Sequence, residues 1–288
     1  MTVSENGFTI NAPDGHRIEA FHWAAGKPVR GVVQIVHGMA EHSRRYRHVA
    51  QAMAQAGYLV YASEHRGHGQ SALDSGTLGD FGATGFRALV DDMATVSRHL
   101  RECHPSVPLV MLAHSMGSFA AQIYLLDHAS LVDAIALSGT AALELLDPRR
   151  SGWALERANA AIAEPRTVVD WLSRDPTVPA AYIADPLCGF ALTEASLSSI
   201  FEHGLRTSDM TQFDNVPKDL PLYLFTGDQD PVNGYLAWFD PLVERLRRVG
   251  CRDLSTHVYG GARHEVLNET NRDEVVSNLI AWVNRVTG

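Results

Sequence analysis

The sequence predicts an α/β fold: a mostly parallel eight-stranded sheet flanked by helices. Three observations carry that expectation. Near-continuous apolar runs such as Gly31-Val-Val-Gln-Ile-Val36 have the character of strands covered on both faces. These runs alternate with amphipathic helical spacings over most of the chain, an order that implies right-handed crossovers between parallel strands. The run Leu109-Val-Met-Leu-Ala113 also stops abruptly at His114-Ser115 and gives way to the small-residue helix start Met116-Gly117-Ser118.

In chain order, residues 7–10 and 16–23 alternate around Pro13-Asp14-Gly15 and read as a β-hairpin. The strand at 31–36 ends in His37-Gly38-Met39-Ala40-Glu41-His42. Helical spacing through Tyr46, Val49, Ala50, Met53 and Ala54 predicts a helix over 43–56, closed by Gly57. A strand at 58–62 leads into 63–71, where glycines argue against regular structure. A helix over 86–100, a strand over 107–113, a helix to about residue 129 and a strand at 134–137 follow.

The alternation then breaks. Residues 141–215 hold Pro165, Pro176, Pro179 and Pro186, a capping-box-like Thr167-x-x-Asp170 and helical patches at Trp153 and through Leu197, Ile200, Phe201 and Leu205, with no inner-strand pattern. Long insertions in compact domains are usually lids or binding loops. The expected organisation is therefore a core over 1–140, a helical cap over 141–215 and the rest of the core over 216–288. Core elements resume as a strand at 220–225, a helix over 234–249, a strand at 254–259 and a helix over 272–286.

Composition excludes several functions. The net charge is −9, and the 24 basic residues are scattered, so no stripe exists to neutralise phosphates and nucleic acid is not an expected partner. Cys103, Cys188 and Cys251 are odd in number and lack Cys-x-x-Cys spacing, which argues against disulfides and against a thiolate zinc site. His65-x-x-His68 with His37 lacks supporting ligands, so no metal and no cofactor are expected. Residues 1–20 lack a basic end followed by an apolar stretch, and no run is long enough to cross a bilayer; a cytoplasmic location is expected.

The chemistry sits in the loops that follow strands. An x-Ser-x-Gly core flanked by small residues suits a strained strand-to-helix turn that holds its hydroxyl clear of the sheet, which makes Ser115 a candidate nucleophile. Such a hydroxyl needs a base within hydrogen-bond reach and an acid to orient that base, and His264 and Asp230 stand in two other post-strand loops. Backbone N–H groups of Met39 and Met116 are placed to receive an oxyanion.

These motifs resemble those of the α/β-hydrolase family, in particular its monoacylglycerol lipase and lysophospholipase group, which shares its fold with proline-type serine aminopeptidases. The similarity runs nearly end to end. It rests on His37-Gly38-Met39-Ala40-Glu41-His42 with Tyr46, Glu64-His65-Arg66-Gly67-His68-Gly69-Gln70-Ser71, Ala113-His114-Ser115-Met116-Gly117, Gly227-Asp-Gln-Asp230 and Gly261-Ala-Arg-His264. The resemblance implies an α/β-hydrolase fold with a cap and an acyl-enzyme on Ser115. Its Gly-x-x-Asp spacing selects Asp230 over Asp228, which is left to shape the turn. It also implies a substrate of the monoacylglycerol or lysophospholipid type. Phe190, Leu192, Phe201 and Phe213 of the cap, with His37, Gly38 and His114, are the expected substrate contacts, and the cap offers a surface for transient membrane contact. Three positions depart from the family pattern: Ala113 and Ser118 where glycines are usual, and Glu64 where aspartate is usual. Two alternatives remain at this level. An aminopeptidase would need a cap carboxylate such as Glu156, Glu164 or Glu194, and a ligand sensor would retain a slow triad.

Overall fold

The computed structural model describes residues 3–26 and 28–288. Its strands are β1 (Ser4–Asn11), β2 (Arg17–Ala24), β3 (Gly31–Val36), β4 (Tyr58–Ser63), β5 (Leu109–His114), β6 (Ala134–Ser138), β7 (Leu222–Gly227) and β8 (Leu254–Tyr259). They form one sheet in the order β1-β2-β4-β3-β5-β6-β7-β8. The β1–β2 hairpin is antiparallel and β2 joins β4 antiparallel, while every other neighbouring pair is parallel. The fold is that of the α/β-hydrolases, as expected.

Both faces are covered, which explains the unbroken apolar runs. The helices are α1 (Arg47–Gln55), α2 (Gly69–Ser75), α3 (Phe86–Cys103), α4 (Met116–His128), α5 (Leu143–Leu146), α6 (Pro148–Ser151), α7 (Thr177–Ala184), α8 (Glu194–Glu202), α9 (Gly204–Ser208), α10 (Phe239–Arg248) and α11 (Arg272–Thr287). Val32, Val36 and Met111 face a core shared with Leu89 of α3, Tyr124 of α4 and Phe239 of α10. Val33, Ile35, Val110 and Leu112 face the other core, with Val49 and Met53 of α1 and Leu279 and Val283 of α11. Successive side chains of a strand point to opposite faces, so β3 and β5 feed both cores.

Three local expectations change. The helix over 43–56 is a 3₁₀ turn, Ser43–Tyr46, followed by α1. The loop over 63–71 ends early, because α2 starts at Gly69. The helix over 234–249 begins only at Phe239: the Asn233 side chain accepts from Leu236 N at 2.7 Å, and Tyr235 and Leu236 have positive φ, so residues 231–238 turn instead of coiling.

Residues 141–215 contain no strand. Thr167 and Asp170 meet through their side chains, with Thr167 Oγ1 2.5 Å from Asp170 Oδ1, but they do not cap a helix: only the 3₁₀ turn Asp170–Leu172 follows, and its N-cap is Val169 without a side-chain cap. The segment is fastened by α8, where Ser196 and Ser199 hydroxyls accept from the backbone N–H of Phe81 and Phe86 at 2.9 Å each. Ser199 thereby supplies a missing acceptor for the first turn of α3. Among the described residues no helix is long and apolar enough to cross a membrane.

Candidate active site

Ser115 sits between β5 and α4 with φ 51° and ψ −123°, a strained conformation for a residue with a Cβ. The turn is held from several sides: Ser115 N donates to Ser138 O of β6 at 3.0 Å, and Ser115 O accepts from Ser118 N and Phe119 N. Ser118 Oγ donates to the same carbonyl at 2.6 Å. Gly117 is required by space, since a Cβ there would lie 2.4 Å from His37 O. Ala113 is buried between Val36 and Leu137 in the sheet, which accommodates its methyl group.

The loop after β8 brings His264 to this turn. His264 Nε2 lies 2.8 Å from Ser115 Oγ, and Nδ1 lies 2.9 Å from Asp230 Oδ2. With the ring proton on Nδ1, facing the carboxylate, Nε2 is left to accept from the hydroxyl. Asp230 is fully buried, and its Oδ1 accepts from Val232 N at 2.8 Å. Burial works to lower the pKa of His264, but the Asp230 charge and hydrogen bond, with smaller contributions from Glu265 and Glu41, raise it overall. Asp228 turns away: its Oδ1 accepts from Gly261 N at 2.8 Å and fixes the start of the His264 loop. The ring of His264 packs against Trp171 and His114, at centroid distances of 5.2 and 4.9 Å. Burial, assisted by His264, pushes the pKa of His114 down to about 3, so His114 is a neutral wall.

The loop after β3 lies against Ser115. A Cβ on Gly38 would stand 3.1 Å from Ser115 Cβ, so glycine permits the approach. Met39 N–H finds no acceptor among the described residues, and Met116 N–H, the first of α4, cannot close an intrahelical bond. The turn is set at Ala40, whose φ is 52° and whose N–H donates to His68 Nε2 at 3.1 Å. His68 can accept because burial holds its pKa down to about 3, with Nδ1 facing Arg66 O at 2.9 Å.

The sequence did not single out the network beneath these loops. Glu41 accepts from Gly38 N at 2.5 Å, Tyr46 Oη at 2.7 Å and Arg45 Nη1 at 2.5 Å. Arg45 in turn holds Glu265, the neighbour of His264. Burial works to raise the pKa of Glu41, but Arg45, with His114 and His37, holds it down to about 2. Glu41 and Tyr46 were visible within the His37-Gly38 motif, and Glu265 beside the histidine, but nothing in their spacing revealed the pairing. Arg45 also lies over the ring of Tyr182, whose hydroxyl donates to Ala40 O at 2.8 Å.

The expected substrate contacts divide. His37 is a core residue, fully buried, with Nδ1 on Gly38 O and Nε2 accepting from His65 N, so neither nitrogen is open to a ligand. Phe213 is likewise buried, in the core that residues of α4 and α10 share. Phe190 stands edge-on to His68 at 5.0 Å, behind the Met39 loop. Leu192 and Phe201 are half-buried and pack on the same core as Phe213. A cavity of about 320 Å³ lies between the insertion and the Asp230 and His264 loops, lined by Ala161, Ile162, Trp171, Gln229, Tyr235 and Arg263 among others.

The model of the serine aminopeptidase S33 family matches residues 27–271. The chain belongs to this family. A monoacylglycerol lipase of Mycolicibacterium smegmatis is 34% identical over 98% of this chain and 97% of its own length. Among solved structures, a thermostable carboxyl esterase from Bacillus coagulans, in complex with glycerol, superposes with a TM-score of 0.87 at 30% identity, with all of both chains covered. A lipase in its open form gives 0.83 at 28% identity, over 99% of this chain and 100% of its own. For a member of the S33 family, the carboxylates Glu156, Glu164 and Glu194 are informative in their placement: all three are exposed on the insertion.

Proposed function

We propose that this chain hydrolyses carboxylic esters of single-chain lipids, monoacylglycerols or lysophospholipid-like esters, through an acyl-enzyme on Ser115. The observation that carries the reading is the continuous hydrogen-bonded path from Ser115 Oγ through His264 to buried Asp230 at a strained turn. Near full-length similarity to a monoacylglycerol lipase supports the choice of substrate.

In this reading His264 Nε2 takes the Ser115 proton as Oγ attacks the ester carbonyl, and Asp230 stabilises the imidazolium that results. The N–H groups of Met39 and Met116 receive the oxyanion, each contributing on the order of 3 kcal/mol to the transition state. His264 returns its proton to the departing alcohol, then activates a water molecule that releases the fatty acid. The insertion over 141–215 acts as a lid. Its Trp171 packs against the ring of His264. Val168, Ile183 and Leu205 are exposed on the insertion, and transient contact of the lid with lipid and a cytoplasmic location are part of the same reading.

Aminopeptidase activity is the second reading, because the family carries that name. It needs a carboxylate aimed at the site to hold a free amino terminus, and the three candidates on the insertion face solvent. A panel of monoacylglycerols, lysophospholipids, p-nitrophenyl esters and aminoacyl amides, run beside Ser115→Ala, decides. Fast multiple turnover of monoesters that vanishes in Ser115→Ala is expected. Amides turned over faster than every ester would replace the lipase reading, and a single equivalent of product would make the chain a sensor.

A further inference from the structure

The expectation that no metal binds came from the spacing of histidines and cysteines along the chain, and that spacing cannot show residues brought together by the fold. His42, Asp185 and Cys188 come together although 143 positions separate His42 from Asp185. One ligand atom from each lies within 4.8 Å of the other two. His42 Nε2 is 3.0 Å from Asp185 Oδ2. The turn that presents the other two groups is built by Asp185: its Oδ1 accepts from Leu187 N at 2.9 Å and its carbonyl from Cys188 N at 3.0 Å. The Asp-x-x-Cys pair is thus set on one side of a fixed turn, as ligand pairs in zinc knuckles are.

We propose that His42, Asp185 and Cys188 form a binding site for a thiophilic divalent cation, with zinc the expected ion. The donor set is imidazole nitrogen, carboxylate oxygen and cysteine sulfur, the three ligand types that zinc takes at about 2.0–2.3 Å in tetrahedral sites. Ligand atoms a few ångströms apart need only small side-chain movements to meet that geometry. A fourth position is left for water.

The surroundings favour a cation. Cys188 lies in the electrostatic reach of three carboxylates, Glu41, Asp185 and Glu265, against the single positive charge of Arg45. A cysteine that ligates the ion does so as thiolate, its proton leaving to solvent. His42 has little else to hold it, since its Nδ1 is buried without a partner among the described residues. The location gives the site a consequence. Asp185 and Cys188 belong to the insertion, His42 to the loop that carries Met39, and Gly189 N already donates to Ala40 O at 2.9 Å across the same seam. An ion at this point fastens the insertion to the Met39 loop.

The test is independent of any enzymatic reading. Cys103 stands 3.6 Å from His99 and could bind metal on its own, so the measurement uses a Cys103→Ser, Cys251→Ser protein in which Cys188 is the only thiol. Chelator-treated protein is titrated with Co²⁺, then with Zn²⁺ as competitor. The expected result is one equivalent of cobalt, bound with release of about one proton and a near-ultraviolet thiolate charge-transfer band that disappears as zinc displaces the cobalt. Adding Cys188→Ser should abolish the band, and His42→Ala should weaken zinc at least tenfold, with circular dichroism of each variant checked against the parent. No charge-transfer band, or zinc affinity unchanged by both substitutions, overturns the site.

Discussion

Arg45 grips Glu265 with both terminal nitrogens, Nη1 2.7 Å from Oε1 and Nη2 2.8 Å from Oε2. Since Nη1 also meets Glu41, one guanidinium ties the loop carrying Met39 to the loop carrying His264. Both carboxylates are buried, so truncating the cation leaves two negative charges without compensation. Arg45→Met should cost about 3–5 kcal/mol of stability in chemical denaturation. Its kcat should fall further than the residual fold explains, because both loops lose their common anchor. Arg45→Met combined with Glu41→Gln and Glu265→Gln should recover part of the stability, and an unchanged midpoint in the single variant would rule this account out.

Ser115 holds a positive φ that glycine adopts without strain. Relief of that strain is worth about 1–3 kcal/mol, against about 0.5–1 kcal/mol for the extra freedom of glycine in the unfolded chain. Ser115→Gly should therefore be at least as stable as Ser115→Ala by thermal denaturation while both lack ester turnover. An alanine variant clearly more stable than the glycine variant would show that the turn carries no strain.

Gly38→Ala tests the approach of the Met39 loop. The added methyl group meets Glu41 Oε1 at 2.7 Å and Ser115 Cβ at 3.1 Å, so the loop must move away from the serine. The expected outcome is a kcat lowered by about 10²–10³, the loss typical of one misplaced oxyanion donor, with KM changed only slightly. Retention of full kcat would remove Met39 N–H from the oxyanion reading.

The parallel sheet and the post-strand loops that hold Ser115, Asp230 and His264 were legible from local pattern, since buried strands read as unbroken apolar runs and functional groups stand where such runs end, while the choice of Asp230 over Asp228 came from the family spacing. What was not legible depends on contacts between distant segments. Residues 231–238 have helical spacing but turn because one Asn233 side chain captures a backbone N–H. His37 was among the expected substrate contacts, yet it is fully buried with Nε2 accepting from His65 N. The Arg45 bridge spans 220 positions to Glu265, a separation no periodicity reports. Phe213 was expected to line a pocket from its apolar character alone, and in the fold it is buried in the hydrophobic core.

The pH dependence of the base follows from its neighbours. The pKa of His264 is raised above the ordinary 6.5, with burial opposing and Asp230 the main cause of the rise. General-base action needs the neutral ring, so kcat/KM should climb with pH through a midpoint above 6.5. Stability carries the opposite sign: the protonated ring is favoured in the fold, so its contribution is complete below 6.5 and is lost as pH rises through the folded value. Asp230→Asn removes the charge and leaves burial, which lowers the pKa. The activity midpoint should then move below 6.5, with kcat down by about 10⁴ as the ring loses its orienting partner. Asp228→Asn, whose partners are Gly261 N and the Gln229 side chain, should keep the parent midpoint and most of the rate. An Asp230→Asn profile that retains the parent midpoint would mean that another group sets the limb, and Glu41 and Glu265, the remaining carboxylates acting on the ring, would be the residues to examine by the same substitution.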